Sequence, residues 1–570
     1  MKYFLQQAKQ HRTWIAPQFE ATSWEVVEPC FAQLVQFPIN SLSDLQQFLA
    51  MRSELEAVLE EDLAWRYIRM SCNTADQQAA QDFEFFVNSI QSQVYTYDNE
   101  LDKKFLQSQF VAQLPEEYTI MRREIQNREQ LFCEKNVPLF TELEQQEQEY
   151  GVIASRMTVE IDGEQKTLQQ AQVFMKSTNR AKREAVYRAI AERRMADEQP
   201  LNELLTQLIA KRHEIALNAG FENFRDYKFR ALNRFDYSKE DCFAFHSAIQ
   251  TIVPPLVEKL YAERKQKLGL ERLQPFDLEV NIEGDKVNKP FTDAHDLLQK
   301  SIRCFSEIKP EYGDFLQQMG KYKYLDLDSR IGKAPGGFNY PLYESNVPFI
   351  FMNAAGTQRD VETLMHEGGH ALHSHFSAHL PLVEFKSLPA EVAELASMSM
   401  ELIAMEHWHT FFDSAEDVHR AKRSVLEGIV TTISWIAMID KFQHRLYENP
   451  HHSIEERTKM WQTIQAEFAV KNLDYTGFED YRDCAWQKQL HIFEVPLYYI
   501  EYGFAQLGAL ALWKNYKQNP EKTLWAYEEF LRQGNTKSIP ELYTIAGISF
   551  EFSYEYVNEI MTFLMEEIQK

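Results

Sequence analysis

Cysteine is scarce in this chain. Six residues in 570 (Cys30, Cys72, Cys133, Cys242, Cys304 and Cys484) are widely spaced and form no C-x-x-C pair, which excludes a zinc ribbon and a dense disulfide framework and leaves reduced, mostly buried thiols as the expectation. Glycine and proline are also few, at 19 and 20, too few for a fibrous or low-complexity chain. Positive charge is in deficit: 60 Lys and Arg against 85 Asp and Glu give a net charge of −25. With no long basic run to segregate that charge, nucleic acid is not an expected partner. No stretch of 18 apolar residues occurs, and Met1–Gln10 lacks the apolar run of a signal peptide. No membrane association is expected, and the cytoplasm is the expected location.

What is present is the composition of an ordinary globular protein, 44% hydrophobic and 25% charged, long enough for several domains or one large helical body. Leu45, Phe48, Leu49, Leu55, Val58 and Leu59, and then Phe83, Phe86 and Ile90, recur at helical spacing. The run 157–168 alternates with period two around Asp162-Gly163, the pair that suits a type I′ turn, and predicts a small hairpin. Leu201, Leu204, Leu208, Ile209, Ile215 and Ala216 mark an amphipathic helix that Gly220 closes. Pro275, Asp277, Gly284, Asp285 and Pro290 interrupt helix. The expected division is an N-terminal helical region over 1–200 and a helical catalytic region over 201–570. Strands are expected at 322–328 and 348–353, and Gly336, Gly337 and Phe338 between them suit a sheet edge that pairs with an extended peptide. Helical periodicity returns over 424–446, 498–513 and through Ile560, Leu564 and Ile568. The fold class is mainly α with a small β-sheet.

The chemistry concentrates in His366-Glu367-Gly368-Gly369-His370, an H-E-x-x-H pattern in a segment that Thr357 and Asp360 start as a capping box and that runs to about Leu380. Residues four apart on a helix lie one above the other, so His366 and His370 suit two imidazole ligands on one zinc ion, with the Glu367 carboxylate beside it. Composition alone would produce such a pentapeptide roughly 0.07 times per chain, counting either acid, so a third ligand must decide. His373 stands about 10 Å along the helix from His366, too far to share the ion with both, and is better placed beside substrate or behind the ligands. The metzincin pattern requires histidine where Phe376 stands. A second helix, starting near Ser387-Leu388-Pro389, carries Glu391 and Glu394. Glu394 is favoured because Ser397 and Glu401 share its face and can orient the ligands. Gly368-Gly369 costs the first helix about 2 kcal/mol relative to alanine, which points to close approach by a neighbouring element.

The chain resembles the thimet oligopeptidase and oligoendopeptidase F family of zinc metallopeptidases, in particular its oligoendopeptidase F and Pz-peptidase-like branch. The likeness rests on 366–373, on Ala393-Glu394-Leu395-Ala396-Ser397-Met398-Ser399-Met400-Glu401-Leu402, and on His491 followed by Tyr498-Tyr499-Ile500-Glu501-Tyr502-Gly503. Residues 218–227 are weakly similar, and together these cover about 200–510. The resemblance implies a zincin-like helical body around a deep substrate channel, with one zinc ion per chain on His366, His370 and Glu394. It makes Glu367 the carboxylate that activates a zinc-bound water. It places His491, Tyr499 and Tyr502 at the substrate carbonyl, with Tyr498 competing with Tyr499 for that position, and lays the peptide along the edge near 336–338. The implied activity is hydrolysis of internal bonds in short unstructured peptides; the oligomeric state is left open.

Two other readings compete. A zinc carboxypeptidase or dipeptidyl carboxypeptidase would use the same ion but need an anchor for a free carboxylate. The thermostable carboxypeptidase family is similar around H-E-x-x-H, yet its H-E-S-Q-S-R stretch is absent. A metal-free helical peptide-binding scaffold would have no need of Glu367.

Overall fold

The structure is a computed structural model, and it describes residues 12–282 and 289–570; Gly284 and Asp285, read above as helix breakers, lie outside the described residues. The fold is mainly α, as expected, with two small sheets among the described residues. Two compact units are interleaved along the chain. One comprises Met1–Gln130, Asn288–Lys422 and Ala505–Phe550, the other Leu131–Val287, Arg423–Phe504 and Glu551–Lys570. The division expected near residue 200 falls inside the helix Glu198–Asn218.

The first unit is built on a 31-residue helix, Leu42–Cys72, whose Ser41 hydroxyl accepts the Asp44 N–H. Leu45, Phe48, Leu49, Leu55 and Leu59 are buried on its apolar face and meet Phe31, Leu34, Phe105 and Phe385 in one core, the arrangement their helical spacing requires. A three-stranded sheet follows: β3 (Leu325–Asp328), β4 (Phe338–Leu342) and β5 (Val347–Ala354), in the order β3-β5-β4, with β3 parallel and β4 antiparallel to β5. The strand expected from Tyr322 begins only at Leu325, because Tyr322 closes the helix Pro310–Lys321 and Lys323 takes φ +60°.

The second unit carries the expected hairpin, β1 (Thr158–Ile161) with β2 (Glu164–Thr167). Its turn puts Asp162 at φ +55° and Gly163 at φ +80°, both left-handed as a type I′ turn demands. Val159 and Ile161 face a core with Met175, Val186, Ile190, Phe276 and Phe478. Beside it Asp277, fully buried, binds the guanidinium groups of Arg180 and Arg183, each at 2.8 Å. Burial works to raise this carboxyl's pKa, but the two arginines outweigh it and hold it below the ordinary value.

Candidate active site

The H-E-x-x-H segment forms the helix Gln358–Ser377, hereafter the motif helix, opened by the expected Thr357–Asp360 capping box. It ends three residues before Leu380, where Ala378 and Leu380 turn back onto the carbonyls of His375 and Ser377. The second helix, Ala390–Met405, has Pro389 at its N-cap and no side-chain cap, and so begins just past the expected Ser387-Leu388-Pro389 start. The two helices pack closely because Gly369 has no side chain. A Cβ there would lie 2.7 Å from Ser397 Cα and 2.9 Å from the Ala396 carbonyl oxygen, well inside van der Waals contact. Gly368 does the same for the Phe305 ring, at 2.5 Å. This is the close approach that the glycine pair implied.

His366, His370 and Glu394 converge, with one potential ligand atom from each lying within 4.8 Å of the others. His366 Nε2 and Glu394 Oε2 are 3.4 Å apart. Ligands on a tetrahedral ion with bonds of about 2.05 Å sit about 3.3 Å from one another, so this separation fits shared coordination. Outer contacts orient both groups. His366 Nδ1 is 2.6 Å from Glu401 Oε1, and the Ser397 hydroxyl donates to Glu394 Oε2 at 3.2 Å. Such carboxylate–histidine pairs fix which ring nitrogen faces the metal. Glu394 and not Glu391 joins the histidines; Glu391 is buried, and its carbonyl accepts the Tyr543 hydroxyl at 3.4 Å.

The electrostatics suit a cation. Burial works to lower the His366 pKa, but the Glu401 hydrogen bond and the charges of Glu401, Glu394 and Glu367 reverse it and lift the ring to about 9. A ring that retains its proton amid three carboxylates marks a place where a divalent ion can substitute for that proton. Burial holds His370 far below its ordinary value, hence neutral. Glu367 is 6% exposed, its Oε2 is buried with no hydrogen-bond partner among the described residues, and burial pushes it up to about 7. His373 is buried against the Phe530 ring, 5.5 Å between centroids, both ring nitrogens lack a hydrogen-bond partner among the described residues, and burial drives its pKa down to about 3.

Gly336 and Gly337 lead into β4, which Phe338 begins. Phe338 stacks on Phe351 at 4.6 Å, and Asn339 donates to the Glu367 carbonyl at 3.4 Å, tying the strand to the motif helix. β4 pairs with β5 on one side only; its outer edge meets no strand among the described residues.

In the other unit, His491 gathers three tyrosines, with ring centroids at 4.7 Å for Tyr499, 5.8 Å for Tyr502 and 6.2 Å for Tyr498. Burial pushes His491 down to about 4 and Tyr499 up to about 12, so both are neutral near pH 7. Sequence reasoning missed what holds this cluster. Trp435 Nε1–H donates to Gln489 Oε1 at 2.8 Å. Indole is a donor only, so the Gln489 amide nitrogen must point the other way, toward His491 Nδ1 at 2.7 Å. Nδ1 therefore accepts, and the neutral ring carries its proton on Nε2. Leu497 takes φ +63°, its N–H donates to Gln443 at 2.8 Å, and Arg234 binds both its carbonyl and Glu501. The helix expected from Tyr498 thus starts only at Ile500. Only a Gln two residues before the histidine hinted at any of this.

A model of the peptidase family M3 matches residues 173–562, and one of the peptidase M3 N-terminal domain matches 17–121. Among curated proteins, the oligoendopeptidase F homolog of Borreliella burgdorferi is 23% identical over 409 residues, 70% of this chain and 67% of that protein. Oligopeptidase PepF of Bacillus subtilis is 22% identical over 66% of this chain and 55% of its own length. The matched stretch thus spans between about half and two thirds of these relatives. Of solved structures, one described as PZ peptidase A with an inhibitor has a TM-score of 0.88 and 26% identity over 97% of this chain and 98% of that one. Oligoendopeptidase-F from Enterococcus faecium shares the fold at a TM-score of 0.65 and 16% identity, over 96% of each chain. With the family model covering more than two thirds of its length and the H-E-x-x-H helix inside the match, the chain belongs to peptidase family M3.

Proposed function

We propose that this protein is a zinc-dependent oligoendopeptidase that cuts internal bonds of short, unstructured peptides. The observation that carries the reading is the convergence of His366, His370 and Glu394 beside a buried Glu367 oxygen with no hydrogen-bond partner among the described residues. Those three residues would hold one zinc ion, which when bound supplies Lewis-acid polarisation of the scissile carbonyl and acidifies water. Glu367 Oε2 takes the proton of the attacking water and returns it to the leaving amine. Glu401 and Ser397 hold His366 and Glu394 in orientation. In the same reading His491 donates from Nε2, and Tyr499 and Tyr502 from their hydroxyls, to the carbonyl oxygen as it gains charge, with Tyr498 flanking them; each well-placed donor is worth about 3–4 kcal/mol. The resemblance assigns that role, and the neutral protonation states of His491 and Tyr499 support it. The peptide adds a strand along Gly336 and Gly337 and the outer edge of β4 that Phe338 begins.

A cytoplasmic location belongs to this proposal. It is supported by six cysteines outside any disulfide; no helix among the described residues is long and apolar enough to cross a membrane. Peptides blocked at both ends separate the endopeptidase from a carboxypeptidase. Cleavage of such peptides by the purified, zinc-loaded protein is expected, with products mapped by mass spectrometry. Complete resistance, with turnover only of peptides bearing a free carboxylate, would replace this reading by the exopeptidase one.

A further inference from the structure

A second cluster of ligand-type side chains lies in the unit that holds His491 and serves no step above. The helix Lys239–Lys267 carries Cys242 and His246, and the helix Ala415–Glu448 carries Asp440 and His444. Each is an i, i+4 pair, so both members of each lie on one face of their helix. All four are buried, at 0% exposure for Cys242 and Asp440 and 2% for the two histidines. Cys242, Asp440 and His444 each offer a ligand atom within 4.8 Å of the others.

We infer that Cys242, Asp440 and His444 form a second site for a zinc-type divalent ion, with His246 as the outer partner that orients the carboxylate. Distances sort the roles. His444 Nε2 lies 3.2 Å from Asp440 Oδ2 without forming a hydrogen bond, close to the separation of about 3.3 Å expected for two ligands on one tetrahedral ion and to the 3.4 Å between His366 and Glu394. His246 Nε2 stands at 2.8 Å from the same oxygen, a hydrogen-bond distance, and so steadies the carboxylate as Glu401 steadies His366. Asp440 Oδ1 and both His444 nitrogens are buried with no hydrogen-bond partner among the described residues.

The competing account is a metal-free ion pair between Asp440 and a protonated His444. That imidazolium would bury its Nδ1–H without an acceptor among the described residues and hold Nε2 3.2 Å from Asp440 Oδ2 off hydrogen-bond geometry, with the rings of Phe229 and Phe243 at 5.8 and 5.0 Å, which is costly. A divalent ion with one thiolate and one carboxylate is neutral overall, so it meets the low-polarity surroundings without a stranded charge. Thiolate, imidazole and carboxylate together select zinc or cobalt over calcium or magnesium. The same helix presents Gln443, which receives the Leu497 N–H at 2.8 Å, so an ion here would stiffen the support of the segment that bears Tyr498 and Tyr499.

The test exploits sulfur, which His366, His370 and Glu394 do not offer. The full chain is stripped, reloaded with Zn²⁺ or Co²⁺, and freed of loose ion by gel filtration; metal is counted by mass spectrometry and the Co²⁺ form scanned for thiolate-to-cobalt charge-transfer absorption. Two equivalents are expected in the unmodified chain, one in His370→Ala and one in Cys242→Ala. The charge-transfer band should be present in the first two and absent in Cys242→Ala and in the milder Cys242→Ser. A single equivalent that disappears in His370→Ala, or a band that survives both substitutions of Cys242, overturns the site. Should the Cys242 variants fail to fold, the metal count and band of the unmodified chain and of His370→Ala decide alone.

Discussion

His366 and His491 are the same side chain in two regions that treat it in opposite ways. His366 presents Nδ1 to the Glu401 carboxylate and is lifted to about 9; His491 presents Nδ1 to the Gln489 amide and is pushed down to about 4. In both, the atom behind the ring sets what the ring can do in front. A carboxylate behind accepts Nδ1–H and frees Nε2 as a lone pair for a cation, whereas an amide donating to Nδ1 leaves Nε2–H as a hydrogen-bond donor. The first arrangement suits a cation in front of the ring, the second a hydrogen-bond acceptor.

The largest effect expected concerns the group beside the first imidazole. Glu367→Gln should cut turnover by about 10²–10⁴-fold while the metal content stays near that of the parent; retained turnover would remove Glu367 from the chemistry. Next, Gln489→Glu would turn the His491 environment into that of His366. A carboxylate there would draw the proton to Nδ1, so Nε2–H would exist only in the protonated ring. Turnover should fall by about 10²–10³-fold as pH rises through the ring's elevated pKa and recover as pH drops below it. The parent, with its ring pKa near 4 and the proton already on Nε2, should show no such limb across neutral pH; matching pH–kcat profiles would mean that His491 is not a donor to substrate. Glu401→Gln removes the charge behind His366 and should weaken zinc binding about 10–100-fold, read by chelator competition; unchanged affinity would break the parallel. The smallest effect belongs to the packing beneath: Gly369→Ala should destabilise by about 1–3 kcal/mol in thermal unfolding. Gly428→Ala, where the added methyl meets nothing within 4 Å, should stabilise by about 1 kcal/mol. Equal shifts at the two positions would deny that Gly369 sets the helix spacing.

Much of the first region is local in origin and was therefore legible. The Thr357–Asp360 box, the His366/His370 spacing and the shared face of Glu394, Ser397 and Glu401 follow from helix periodicity. Helix ends were less so. Tyr322 and Tyr498 read as parts of a strand and a helix, but Lys323 and Leu497 adopt positive φ, a choice made by surrounding contacts that no propensity encodes. His373, read as standing beside substrate or behind the ligands, is packed on Phe530, a residue 157 positions away in number.

By itself the sequence determined which residues can be chemically competent and which of them share a helix face, because side-chain chemistry and the 3.6-residue repeat are properties of short segments. Only the tertiary structure decided that Glu394 rather than Glu391 meets the histidines, that Gln489 and Trp435 select the His491 tautomer, and that Cys242 and Asp440, far apart in the chain, come within ligand distance. Those choices depend on how separate segments pack, and packing is settled by the sum of buried contacts across a whole unit rather than by any local pattern.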